Sequence, residues 1–114
     1  MDYYFRGDTL IFPFEFVDDN GEKLDFEPQD VLKCGVKTTI YDEQYILIAE
    51  KEISEKTSEV IFEFSAEKTR NIKIGDCILE LELTRGDVVT TIYHEEIYID
   101  GDVVRNESNT ENNS

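Results

Sequence analysis

Basic residues are scarce in this chain, and so is most of the equipment of catalysis. There are 11 Lys and Arg against 27 Asp and Glu among 114 residues, a formal charge of −16. A chain this acidic repels nucleic acid, whose binders carry Lys and Arg patches, and it repels anionic lipid. There is one histidine, His94, and two cysteines, Cys34 and Cys77, widely separated. That excludes the clustered His and Cys ligands of a zinc site and the dense cysteine framework of a small secreted scaffold. No glycine-rich phosphate loop is present. No apolar run approaches the ~20 residues that a bilayer-spanning helix needs. Met1-Asp2-Tyr3-Tyr4 has neither the basic start nor the apolar stretch of a secretory signal, so synthesis in a cytosol is expected. Neither a cofactor, a metal nor a membrane partner is implied.

The acidity is dispersed. Residues 1–57 carry 14 acids and 6 bases and residues 58–114 carry 13 and 5, so each half bears −8. Such a surface favours solubility and basic partners.

What the chain does have is alternation. In Arg6 to Val17, Leu10, Phe12, Phe14 and Phe16 fall on one side of an extended chain and Thr9, Pro13 and Glu15 on the other. Pro13 lacks an amide hydrogen and calls for an edge or a bulge. Val31 to Ile40 places Leu32, Cys34, Val36 and Thr38 on one face and Lys33 and Lys37 on the other, where Gly35 implies a bend or a close neighbour. Tyr45 to Ile53 breaks phase, which implies a bulge near Ala49 or cover on both sides at its start. Glu59 to Ser65 puts Val60, Phe62 and Phe64 inward. Cys77, Leu79, Leu81 and Leu83 face one way, with Glu80 and Glu82 on a face read as solvated. Val88 to Ile99 changes phase near His94-Glu95-Glu96, as if one strand served both sheets.

Turns separate these runs: Asp18-Asp19-Asn20-Gly21-Glu22-Lys23, a polar connection from Leu24 to Asp30, Tyr41-Asp42-Glu43-Gln44, Ser54 to Ser58, and Arg85-Gly86-Asp87. Ala66 to Arg70 is the one helical turn, with Ser65 placed to cap it. Parallel α/β units need intervening helices, which are absent. The reading is all-β: an antiparallel β-sandwich of about six to eight strands with at most one short helical turn. Residues 1–102 form the single domain, and 103–114 form a polar tail too poor in apolar residues to order itself.

The chemistry-bearing residues resolve into structural ones. His94 has neighbouring carboxylates but no nucleophile beside it, so no catalytic residue is assigned and the chain reads as a non-enzyme. Asp18 to Glu22 lacks the alternating acids of a calcium loop, since Lys23 and Leu24 interrupt them. Arg6-Gly7-Asp8 and Arg85-Gly86-Asp87 spell an adhesion tripeptide but are also ordinary turns. Cys34 and Cys77 read as two reduced core thiols, with a bridge between sheets as the alternative. The aromatic start is a first edge strand or a docking arm, so Tyr3, Tyr4 and Phe5, with Val103 and Val104 of the tail, are the candidate partner contacts.

Arg6-Gly7-Asp8-Thr9 opening a phenylalanine-rich strand, the turn Asp18-Asp19-Asn20-Gly21, a Lys-containing strand after it, and Ile74-Gly75-Asp76-Cys77-Ile78-Leu79-Glu80-Leu81 entering a last hairpin together form a layout. It resembles the Ig-like domains of tailed-phage baseplate and tail proteins, such as the amino-terminal domain of baseplate upper proteins. Cys77 and Leu79 stand where that family's closing hairpin carries aromatics. The resemblance implies an Ig-like sandwich that assembles with other virion proteins as symmetric copies, a homo-oligomer made in a bacterial host cytoplasm and resident in the virion. It implies no catalytic residues. The second expectation comes from charge: a small acidic phage-encoded inhibitor that mimics nucleic acid and occupies the groove of a basic host protein.

Overall fold

The structure is a computed structural model that describes residues 2–39, 41 and 44–101. In chain order the elements are β1 Asp2–Phe5, β2 Leu10–Glu15, β3 Val31–Lys37, β4 Leu47–Glu52, β5 Glu59–Phe64, α1 Ala66–Thr69, β6 Gly75–Arg85 and β7 Val88–Asp100. They form a five-stranded sheet in the order β1-β7-β6-β3-β4 and a two-stranded sheet of β2 and β5. The two layers make an all-β sandwich. Val103, Val104 and the tail lie outside the described residues.

The core follows the alternation. Leu10, Phe12 and Phe14 of β2 and Val60, Phe62 and Phe64 of β5 are buried, as are Leu32, Cys34 and Val36 of β3, Cys77, Leu79 and Leu81 of β6, and Ile97 and Ile99 of β7. Each large apolar side chain contributes about 1.5–3 kcal/mol on burial. The phenylalanines meet edge to face, Phe12 with Phe64 at 5.9 Å and Phe14 with Phe62 at 6.2 Å between centroids, the arrangement that ring quadrupoles favour. Pro13 sits in a sheet of only two strands, so its missing donor breaks no second ladder.

Four expectations need correction. The sandwich is not wholly antiparallel, because β1 runs parallel to β7. The short Arg6–Asp8 turn, with Gly7 at φ 91°, carries the chain from β1 to the opposite sheet, so β1 does not pair with β2. β7 does not change sheets: all of it pairs with β6, and the irregularity lies opposite Leu81 and Glu82, at Ile92 rather than His94. β3 and β4 pair without interruption from Val31–Glu52 to Val36–Leu47, so there is no bulge at Ala49. The Leu24–Asp30 connection is not merely polar. Phe26 is buried, bridges to Thr57 and packs on Phe16 at 5.5 Å.

The turns are built as their residues dictate. The Asp18 carboxylate accepts from the amides of Asn20 at 2.8 Å and Glu22 at 2.9 Å, with Gly21 at φ 83°. Ser65 caps α1 through Lys68 N. Thr69, fully buried, donates to the Asp8 carbonyl at 2.6 Å and accepts from Gly7 N at 3.1 Å. It thereby pins the Arg6-Gly7-Asp8 turn.

Candidate functional site

A five-stranded layer over a two-stranded one leaves an edge of the larger sheet incompletely covered. At the β4–β5 end the gap is shut: Lys51 Nζ donates to the Ile61 carbonyl and lies 5.5 Å from the Phe62 ring centre. At the other end, where β1 and β7 face β2, a cleft of about 380 Å³ remains. Buried Phe12, Phe14 and Leu79 form its floor, Tyr4, Phe16 and Tyr93 its walls, and Asp2, Pro13, Glu15 and Glu95 its rim. The rings are held together: Tyr4 lies 5.1 Å from Phe12, and Tyr93 lies 5.6 Å from Phe14 and 6.5 Å from Phe16.

Strand alternation places these groups. On β7, Tyr93 and Glu95 share a side with Ile97 and Ile99, so a carboxylate and a phenol sit on the core-facing side where the core ends. On β1, Asp2 and Tyr4 line the cleft, while the Tyr3 ring lies tilted against Tyr98 at 5.6 Å. Among the described residues, none that lines the cleft is Lys, Arg, His, Ser or Cys. Glu15 pairs with Lys23 at 3.7 Å on the exposed side. Burial pushes the Tyr4 hydroxyl above its ordinary pKa, and the charges of Asp2 and Glu95 push it the same way. Tyr93 is raised by burial, then by the Glu95 charge and a hydrogen bond to it. The phenols stay neutral beside their carboxylates, and the cleft presents negative charge over aromatic faces. Negative charge beside aromatic faces is the chemistry that favours a cation.

Of the candidate contact residues, Tyr3 is 64% exposed and Phe5 40% exposed on the β1 edge, and Tyr4 is half-buried in the cleft wall. Val103 and Val104 fall outside the described residues. His94 is exposed on the outer face, paired across the ladder with Glu80. Cys34 and Cys77 are free and buried. Cys34 pairs with Leu81, so Cys77 lies four residues along β6. That is roughly 13 Å at about 3.3 Å per residue, beyond the reach of a disulfide. Burial pushes the Cys34 thiol up to about 12 and also raises that of Cys77, so both resist becoming thiolates. Arg85 of the second Arg-Gly-Asp is held by Asp30, at 2.9 Å and 2.7 Å.

The outer face of β6 is a second cluster, and here the reading of Glu80 and Glu82 as solvated is wrong. Glu80 is 8% exposed. Lys37 pairs with Glu80 and Lys33 with Glu82, each at 3.2 Å. The Tyr45 ring lies across Gly35, with Lys37 and Lys33 at 4.8 Å and 5.4 Å from its centre, and its hydroxyl reaches Glu80 at 3.5 Å. Gly35 makes room for it: a Cβ there would clash with the Tyr45 ring. Every acid in this cluster has a base, which marks it as structural. Among the described residues no group of three or more His, Cys, Asp or Glu is placed to hold a metal, and no helix is long and apolar enough to cross a membrane.

The cleft was missed in the sequence because its parts come from three strands. One signal was there: Glu95 has the parity of Ile97 and Ile99. No protein-family profile, curated protein or solved structure matches this chain.

Proposed function

We propose that the chain is a non-enzymatic assembly module acting through protein–protein contacts at the open end of its sandwich, in the tail or baseplate of a phage or prophage virion. The observation that carries the contact reading is the β1 edge. Among the described residues β1 pairs only with β7, and it presents Tyr3 and Phe5 to solvent beside the cleft. An edge strand offers unpaired backbone groups to a partner. The virion setting rests on the Arg6-Gly7-Asp8-Thr9 strand and the closing hairpin, which resemble those of Ig-like baseplate domains.

The second reading, an inhibitor that imitates nucleic acid, draws on the charge of −16 spread over both halves. Salt separates the two, because charge pairs are screened and apolar edge contacts are not. The chain is co-expressed with the products of its flanking genes and run on a sizing column at low and high salt. A complex or ring that persists at high salt supports the assembly module. A chain that stays monomeric, and binds a basic nucleic-acid enzyme only at low salt, overturns it in favour of the mimic.

A further inference from the structure

We propose that the cleft between β1, β7 and β2 seats an arginine side chain carried on an extended segment of a partner protein. The inference rests on the contact-module reading and names the chemistry that the contact recognises. Asp2 and Glu95 supply charge at the rim, Tyr4, Phe14 and Tyr93 supply aromatic faces, and among the described residues no Lys or Arg lines the space. The third rim acid, Glu15, is already paired with Lys23 on the outer side. A guanidinium matches both features. It is flat, stacks on aromatic rings and presents five donors to carboxylates and phenol oxygens, whereas an ammonium is compact and more strongly hydrated.

Size narrows the occupant. About 380 Å³ holds one long side chain with a few waters, each water occupying about 30 Å³. It does not hold a folded element. The net charge of −16 favours a cationic guest over an anionic one.

The neighbouring edge says how the side chain arrives. Asp2 and Tyr4 of β1 line the cleft, and Tyr3 between them turns to Tyr98. A partner strand added to β1 would follow the same alternation, with every second side chain directed toward the cleft mouth. Backbone pairing then supplies affinity and the cleft selects the residue. The pKa values of Tyr4 and Tyr93 are raised first by burial and then by Asp2 and Glu95, the carboxylates that would hold the guanidinium.

The test uses a short capped serine-rich peptide carrying one arginine. Its comparators hold citrulline, which has the same shape without the charge, or lysine, and free arginine is titrated separately. Binding to the whole chain is measured by calorimetry for wild type, Glu95→Gln, Tyr93→Phe, Tyr93→Leu and the distant surface control Glu63→Gln. Citrulline and Glu95→Gln should each weaken binding by about tenfold. Lysine should bind more weakly than arginine, and free arginine more weakly than the peptide. Tyr93→Phe should retain binding that Tyr93→Leu loses, which separates stacking from a general loss of packing. Glu63→Gln should change nothing. Equal binding of the citrulline peptide, equal binding of free arginine, an equal loss in Glu63→Gln, or no binding to wild type overturns the proposal. Those failures leave the assembly reading standing if the high-salt complex with the flanking gene products persists. Loss of that complex overturns the assembly reading, whatever the peptide does.

Discussion

The two ends of the gap between the sheets are built differently. At the β4–β5 end a single lysine closes the sandwich, its ammonium on a backbone carbonyl and over a fully buried ring. At the β1–β2 end, Asp2, Glu95 and two tyrosines ring an open cleft. The outer face of β6 sharpens the contrast, for Glu80 and Glu82 each have a lysine at 3.2 Å. Where this protein needs a carboxylate for structure, it supplies a partner. Asp2 and Glu95 have no base among the described residues that line the cleft, and under the proposed function a partner supplies one.

The largest expected effect tests the sealed end. Phe62→Ala removes a fully buried ring and should cost about 3–5 kcal/mol of unfolding free energy in urea. Phe16→Ala, in the open wall and only partly buried, should cost about half as much. Equal losses would mean that the two ends are packed alike. Next is Gly35→Ala. Its Cβ would displace the Tyr45 ring from the Lys33–Lys37–Glu80 cluster, with a loss of about 1–3 kcal/mol. No loss would mean that the ring does not lie on the strand.

A smaller effect comes from Asp30→Asn. Asp30 is 2% exposed and holds Arg85 by two hydrogen bonds, and that bonding lowers its carboxyl pKa in the fold. The contribution is therefore complete above the ordinary carboxylate pKa and disappears as pH falls through the lowered value. The variant should lose about 1 kcal/mol at neutral pH, at the low end because the Arg85 side chain is 53% exposed. The gap from wild type should close in acid, and a gap constant with pH would contradict the assignment. The smallest effect belongs to the cleft. In an ultraviolet titration Tyr93 should ionise above the ordinary tyrosine value of about 10. Glu95→Gln should bring it partway down, because burial remains the first cause of the shift.

Most of the sandwich was legible because its inner faces obey a period of two. Leu10-Phe12-Phe14, Val60-Phe62-Phe64 and Cys77-Leu79-Leu81 announced their burial. What escaped the sequence depended on contacts between distant segments. Phe26 lies in a polar run and is drawn inside by Phe16 and Thr57. Glu80 alternates like a surface residue and is covered by Tyr45, a residue of a different connection. Pairing of β1 with β7 joins the two ends of the described chain, which no local pattern encodes. The cleft suffered most, since Tyr4, Phe14 and Tyr93 become neighbours only through the sheet order. Of the contact residues read from the sequence that the structure describes, Tyr4 is the one that the fold brings into the cleft.

The most direct measurement locates a guest. An amide nitrogen–proton spectrum of the labelled chain, titrated with the arginine peptide, should show shifts confined to β1, the end of β2 and β7 around Tyr93 and Glu95, with β4 and β5 unmoved. Shifts spread evenly over the acidic surface, or concentrated at the β4–β5 end, would contradict the claim that this sandwich keeps one end open for a partner.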